Sequence, residues 1–135
     1  MTVSELNTLA ERVRPTVLVV DDDEFQSKIV AHILEAENYN LLFAVNGFEA
    51  LGLLRRTRPD LILMDVMMPD MDGVEATRRL KAVPQFTGIP VIMLTGKSEK
   101  NVVTESLKAG ATGFLVKPID RDTLITKVKQ ALNGA

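Results

Sequence analysis

TVLVVDDD, residues 16–23, runs five mostly β-branched apolar residues straight into three aspartates. The run is too short for a buried helix and nearly continuous in its apolarity, as a parallel strand covered on both faces should be. Four further runs of this kind follow, at 41–45, 61–64, 90–94 and 112–116. Between them the apolar spacing is helical. Phe25, Ile29 and Ile33 share one stripe with Val30 and Leu34 beside it, and segments 48–54 and 74–80 supply the next two helices. Val103 and Leu107 are expected to face inward in the fourth, and Leu124, Ile125, Val128 and Leu132 in the last. Gly47, Gly73 and Gly110, with Pro59, Pro69, Pro90 and Pro118, punctuate the joints.

Strand and helix thus alternate five times. Parallel strands require crossovers, and right-handed crossovers wrap helices onto both faces of the sheet. The pattern predicts a three-layer, doubly wound α/β domain with a five-stranded parallel sheet. The flavodoxin-like strand order 2-1-3-4-5 is expected by analogy, since alternation alone does not set it. The expected division is a single α/β domain over 16–133 preceded by an extension, 1–15, that reads as helical. Val3, Leu6, Leu9, Ala10 and Val13 fall on one stripe there, Ser4 could cap its start, and Pro15 ends it. Such a helix is marginal alone in water, so it is either a docking or dimerisation helix or a frayed terminus.

Composition narrows the function. A chain of 135 residues with 46% apolar and 25% charged residues holds one domain with a proper core. A net charge of −2 gives no electrostatic reason to bind nucleic acid. No apolar run is long enough for a membrane span, and charges interrupt the N-terminus where a signal peptide would be apolar. With no cysteine, disulfides, thiolate chemistry and Cys-type zinc sites are excluded, and a cytoplasmic location is the default.

Ligands of open parallel sheets bind at the carboxyl ends of the strands. Strand one delivers Asp21, Asp22 and Asp23 there, strand three Asp65, strand four Thr95, and strand five Lys117 followed by Pro118; Asn46 and Gly47 after strand two look like turn residues. Acidic residues after strands often only cap the next helix, and Asp23 suits that role. Asp21, Asp22 and Asp65, however, come from strands that would be neighbours. Carboxylates so close repel, and a hard divalent cation relieves the conflict through the oxygen ligands that Mg²⁺ prefers. Alone, Thr95 would be a turn residue and Lys117 a solvated one. Around the acidic cluster, a hydroxyl and an ammonium can stabilise a phosphoryl group in transfer, with Asp65 as the nucleophile that becomes an acyl phosphate.

VLVVDDD (17–23), LILMDVMMPDMDG (61–73), VIMLTG (91–96) and GFLVKP (113–118) together resemble the response-regulator receiver domain of two-component signalling, in order and over nearly the whole chain. The resemblance implies that Asp65 is the phosphoacceptor. Mg²⁺ (or Mn²⁺) would be held by Asp22 directly, by Asp21 mainly through water, by Asp65, and by the backbone carbonyl of Met67. It also implies that Thr95 is the switch hydroxyl, Phe114 the switch aromatic that turns inward as Thr95 moves, and Lys117 the phosphate-contacting lysine, with a cis bond to Pro118. A histidine kinase or histidine phosphotransfer protein would donate the phosphoryl group. A downstream protein would then read the face made by the fourth helix, fifth strand and fifth helix, with no direct nucleic-acid contact and no membrane insertion. The expected activity is a phosphorelay switch that catalyses only its own phosphorylation and dephosphorylation. Met67 is apolar where many relatives are polar, in a neighbourhood that influences phosphoryl lifetime.

Other features have plainer readings. His32, the lone histidine, sits mid-helix on a solvated face, and packing explains most of Met64, Met67, Met68, Met71 and Met93, which lie near the active rim or core. The basic groups Arg55, Arg56, Arg58, Arg78, Arg79 and Lys81 suit helix ends and solvent. A flavin carrier on this fold would need a phosphate-cradling loop where Asp21–Asp23 stand. An aspartate-nucleophile phosphatase would need a second acid where Met67 stands, and a pseudo-receiver would lack the intact set. The remaining alternatives are a receiver within a larger regulator or hybrid kinase, or a flavodoxin-like binding module.

Overall fold

The computed structural model describes residues 1–6, 14–96 and 100–134. Five strands form one sheet: β1 (Thr16–Val20), β2 (Asn40–Ala44), β3 (Leu61–Asp65), β4 (Val91–Thr95) and β5 (Gly113–Val116). Between and after them lie α1 (Glu24–Glu35), α2 (Gly47–Leu54), α3 (Gly73–Lys81), α4 (Lys100–Ala109) and α5 (Arg121–Leu132), with a 3₁₀ turn at Pro84–Phe86. All pairings are parallel and the order is β2-β1-β3-β4-β5, as expected from sequence.

Alternation along the strands sorts the core into two halves. Leu18, Val20, Ile62, Met64, Val91 and Met93 point to one face with Ala50, Leu54, Ala76 and Leu80 of α2 and α3. Val17, Val19, Leu61, Leu63, Ile92 and Leu94 point to the other, beneath Val30 and Leu34 of α1 and Leu124 and Val128 of α5. Every residue of β3 and β4 is buried, which is why their sequences show no polar alternation.

Several expectations shift. The strand at 41–45 begins and ends one residue earlier, and 90–94 one residue later. The run at 61–64 extends to include Asp65, and that at 112–116 loses Thr112. Asp65 and Thr95 are therefore the last residues of their strands, held by the sheet itself. In α1 the buried pair is Val30 and Leu34, while Phe25 is 69% exposed, because the first turn overhangs the rim with no core beneath it. In α4 the buried residues are Ser106 and Ala109, with Val102 packed on the core; Leu107 is 53% exposed, contrary to the inward position expected for it. The helix is rotated so that its small residues meet the sheet. At the N-terminus residues 3–6 are helical, and the Thr2 hydroxyl rather than Ser4 accepts from the Glu5 N–H (3.1 Å), with the Glu5 carboxylate accepting from the Thr2 N–H (3.3 Å). Leu9, Ala10 and Val13 lie outside the described residues.

The helices begin at the rim where the strands end, and side chains fix four of those starts. Asp23 caps α1, Asn46 α2, Asp72 α3 and Asp120 α5, each accepting a backbone N–H two or three residues on. Gly73 begins α3 directly against β3: its N–H donates to Val66 O (2.9 Å), and a Cβ there would stand 2.0 Å from the backbone oxygen of Asp65. Neither backbone can move cheaply. Gly73→Ala is expected to lose about 1–3 kcal/mol of stability by overpacking, read as a lowered urea midpoint, whereas Gly52→Ala, with open space at its Cβ, is expected to lose none.

Candidate functional site

The register brings the polar strand ends together. β1 lies between β2 and β3, so Asp21 and Asp22, which follow Val20, emerge beside Asp65 at the end of β3. One carboxylate oxygen from each of Asp21, Asp22 and Asp65 lies within 4.8 Å of the others. Asp21 and Asp65 are 2% and 4% exposed, whereas Asp22 stands in solvent. Lys117, just past β5, reaches across β4 to donate to Asp65 Oδ1 at 3.0 Å and to Asp21 Oδ2 at 3.4 Å. Its own N–H donates to Thr95 O at 2.7 Å, which ties the lysine's backbone to the end of β4. Thr95 is buried at 3% exposure. The Lys117–Pro118 bond is cis, as the resemblance implied.

The other oxygen of Asp21, Oδ1, accepts the Asp23 N–H at 2.9 Å, so both its oxygens already have protein partners. Asp23 in turn caps α1 through the Phe25 and Gln26 N–H groups. The three consecutive aspartates thus take three jobs: one braces the loop, one faces the open cleft, and one starts the helix. Met67 is 76% exposed and borders the cleft between α3 and α4, with Asp72, Glu75 and Arg78. Phe114 is half-buried, paired across the sheet with Met93 and packed on the core.

Electrostatics follow from this crowding. The Asp65 carboxyl is raised from 3.8 to about 6, chiefly by burial, with the Lys117 hydrogen bond and charge opposing the rise and the charges of Asp21 and Asp22 adding to it. Burial is the largest single influence on the Lys117 ammonium and works against it, but the hydrogen bonds and charges of Asp65 and Asp21 together outweigh it and hold its pKa above the ordinary lysine value. Three carboxylates therefore face one ammonium. The donors are all hard oxygens, which suits Mg²⁺, and the cation would supply the missing positive charge.

The bland readings from sequence divide. His32 is exposed on α1. Met64, Met68, Met71 and Met93 are core residues. Arg78 and Arg79 both bond Glu75, and Arg79 also lies 5.9 Å from the Phe48 ring centre. Lys81 is not the solvated group expected: it is half-buried, donating to the Thr87 (2.9 Å) and Ile89 carbonyls with its stem against Gly110, and burial lowers its pKa. The capping roles of Asp72 and Asp120 went unread in the sequence, although Asp72 followed three residues later by Glu75 carries the signal.

A family model for the response regulator receiver domain matches residues 17–129. The protein PilH of Pseudomonas aeruginosa is 34% identical over 118 residues, covering 87% of this chain and 98% of PilH. The response regulator PleD of Caulobacter vibrioides is 41% identical over 113 residues, covering 84% of this chain but 25% of PleD. Among solved structures, the chemotaxis protein CheY4 of Vibrio cholerae superposes with a TM-score of 0.85 at 34% identity, covering 89% of this chain and all of CheY4. The receiver domain of the sensor histidine kinase PA1611 of Pseudomonas aeruginosa, described with a magnesium ion coordinated in its active-site cleft, gives 0.83 at 27% identity, covering 90% and 99%.

The shifted Asp65 sets a pH dependence for the metal-free protein. Its folded pKa lies above the unfolded value, so between about pH 4 and 6 the folded state binds more protons and stability falls as pH rises through that window. Asp65→Asn is expected to flatten this slope, measured as the midpoint of urea unfolding against pH in the presence of a chelator.

Proposed function

The chain belongs to the response regulator receiver family and is a receiver domain of two-component signalling, and we propose that its residues 16–133 accept a phosphoryl group on Asp65, with 1–15 an appended extension. The observation that carries the assignment is the contact of Lys117 with both Asp65 and Asp21 in a cleft where three carboxylates converge. In this reading an oxygen of Asp65 attacks the phosphorus of a phosphohistidine on a histidine kinase or phosphotransfer protein. The O–P bond forms as the N–P bond breaks, and the released imidazole takes up a proton. The Asp65 carboxyl, held back by burial, must be ionised to attack, and the Lys117 ammonium favours that form. Asp22, free of protein partners among the described residues, would hold Mg²⁺ or Mn²⁺ with Asp65 and the Met67 carbonyl, Asp21 acting from behind. When bound, the cation supplies charge compensation for the transferred oxygens.

After transfer the site carries about two negative charges and three acceptor oxygens. Lys117 gains a stronger partner, and the buried Thr95 hydroxyl, at the end of the strand beside Asp65, would be drawn towards the new oxygens. Movement there is passed to Phe114 on the next strand and to the α4–β5–α5 surface, which a downstream protein would read. In this reading the protein turns over no separate substrate. No described helix is long and apolar enough to cross a membrane.

Acetyl phosphate with Mg²⁺ is expected to add the mass of one phosphoryl group to the intact protein. Asp65→Asn should abolish the gain; undiminished labelling of that variant would place the acceptor elsewhere. Mg²⁺ is expected to raise the melting temperature at pH 7 by ligand linkage, Asp22→Ala to remove that rise, and Lys117→Ala to keep it while signalling poorly. Persistence of the rise in Asp22→Ala would remove Asp22 from the ligand set.

A further inference from the structure

β2 ends the sheet, with β1 as its one strand neighbour among the described residues. Its hydrogen-bond phase is set at both ends. Asn40 N–H donates to Pro15 O at 2.9 Å, and Ala44 O accepts from Asp21 N–H at 3.0 Å. Residues 40, 42 and 44 therefore direct their backbone groups to β1. In a parallel ladder the residues between them direct theirs the opposite way, so Leu41 and Phe43 turn N–H and C=O outward, past the edge of the sheet.

Exposed edges are usually blunted by lysine, proline or a bulge. Residues 39–46, YNLLFAVN, contain no charge and no proline. Phe43 and Val45 are 44% and 51% exposed. Their side chains share the α1 side of the sheet, where with Ser27, Lys28 and Ala31 they line a cleft of about 460 Å³. Among the described residues an open strand edge and an apolar trough thus lie side by side.

We propose that β2 pairs antiparallel with β2 of a second copy of this chain, joining two sheets into one of ten strands. The strand is self-complementary. Only residues whose backbone faces outward can form the hydrogen-bonded pairs, and the register that also overlaps the whole of Asn40–Ala44 sets Leu41 of one copy opposite Phe43 of the other, twice over, each pair exchanging two N–H···O bonds. Leu42 then meets its own copy on the two-fold axis, and Val45 lies opposite Tyr39. The two-fold axis is perpendicular to the sheet, so both α1 helices lie on the same side. Leu41, Phe43 and Val45 of both copies fill the trough between them, burying the exposed apolar surface.

Charge agrees with this direction of pairing. Asp22 and Glu24 border the cleft at the carboxyl end of β2, Glu24 paired with Lys28 at 3.6 Å and Asp22 leaving that end net acidic. Arg14 sits beyond its amino end, donating to Asn38 Oδ1 at 3.1 Å. Antiparallel pairing brings the basic end of one strand beside the acidic end of the other; parallel pairing would set acid against acid. A second copy is favoured over an unrelated extended peptide because this strand already carries the apolar side chains, free backbone and end charges that the edge requires.

Sedimentation velocity of the full chain from micromolar to millimolar concentration is expected to show a monomer–dimer equilibrium. Phe43→Lys puts a charge on the edge at an exposed site and should weaken the dimer about tenfold or more while leaving acetyl phosphate labelling intact. Cross-linking tests the register. The chain has no cysteine, and Leu42 residues meeting on the axis as a non-hydrogen-bonded pair lie about 4.5 Å apart at Cα, within disulfide reach. Mild oxidation of Leu42→Cys should give a dimer of twice 14.9 kDa, and His32→Cys, exposed on α1, should not. A monomer at every concentration, as expected if the edge serves a different protein, overturns the proposal. So does a dimer indifferent to Phe43→Lys, or equal cross-linking at His32. If Leu42→Cys fails to fold by circular dichroism, the Phe43→Lys comparison still decides.

Discussion

Like charges held together by the ends of parallel strands are the constraint on which this molecule turns. Asp65 is the last residue of a strand buried along its whole length, and Asp21 follows the neighbouring strand directly. Neither can swing into water, and one lysine must serve both. Burial and mutual repulsion raise the Asp65 pKa despite Lys117. A site left short of positive charge is receptive to a divalent cation, and to any chemistry that replaces the carboxylate by a group better matched to its donors.

The rest of the rim keeps that conflict from relaxing. Asp23, Asn46, Asp72 and Asp120 are spent on helix starts, so four of the loops leaving the sheet are pinned within a few residues of the cleft. Gly73 lets α3 begin against the Asp65 backbone, closer than any side chain would permit. The Thr77 hydroxyl donates to Gly73 O at 2.7 Å, bracing the same turn from inside the core. At the far end of β4, Lys81 binds the carbonyls of Thr87 and Ile89 and lies along Gly110, tying α3 to the turn after α4. Strand ends hold the charges, and caps hold the strand ends.

The surface carries the complementary lesson. Phe25, Phe43, Val45, Phe48 and Met67 are exposed around or beside the cleft, on elements whose cores are otherwise well filled. Such residues satisfy the local helical or strand pattern yet overhang the core. Phe25 illustrates this: it belongs to an apolar stripe by spacing but stands on the first turn of α1, above the level of the sheet. Apolar area left at the rim and edge is available for partners, in keeping with a domain that works through protein contacts.

By itself the sequence determined the alternation of strands and helices, the buried character of β3 and β4, and the polar residues delivered to one rim, because each is a local pattern or a consequence of parallel topology. It also carried the separated motifs by which the receiver resemblance was legible. Tertiary structure decided which side of each helix faces the sheet: Ser106 and Ala109 rather than Leu107 in α4, Val30 and Leu34 rather than Phe25 in α1. Helical periodicity constrains that choice only to within a rotation, and packing against a twisted sheet sets the rest. It also decided how adjacent aspartates divide their labour. Asp21, Asp22 and Asp23 are chemically identical in the chain, and only their positions above the end of β1 make one a brace, one an open carboxylate and one a helix cap.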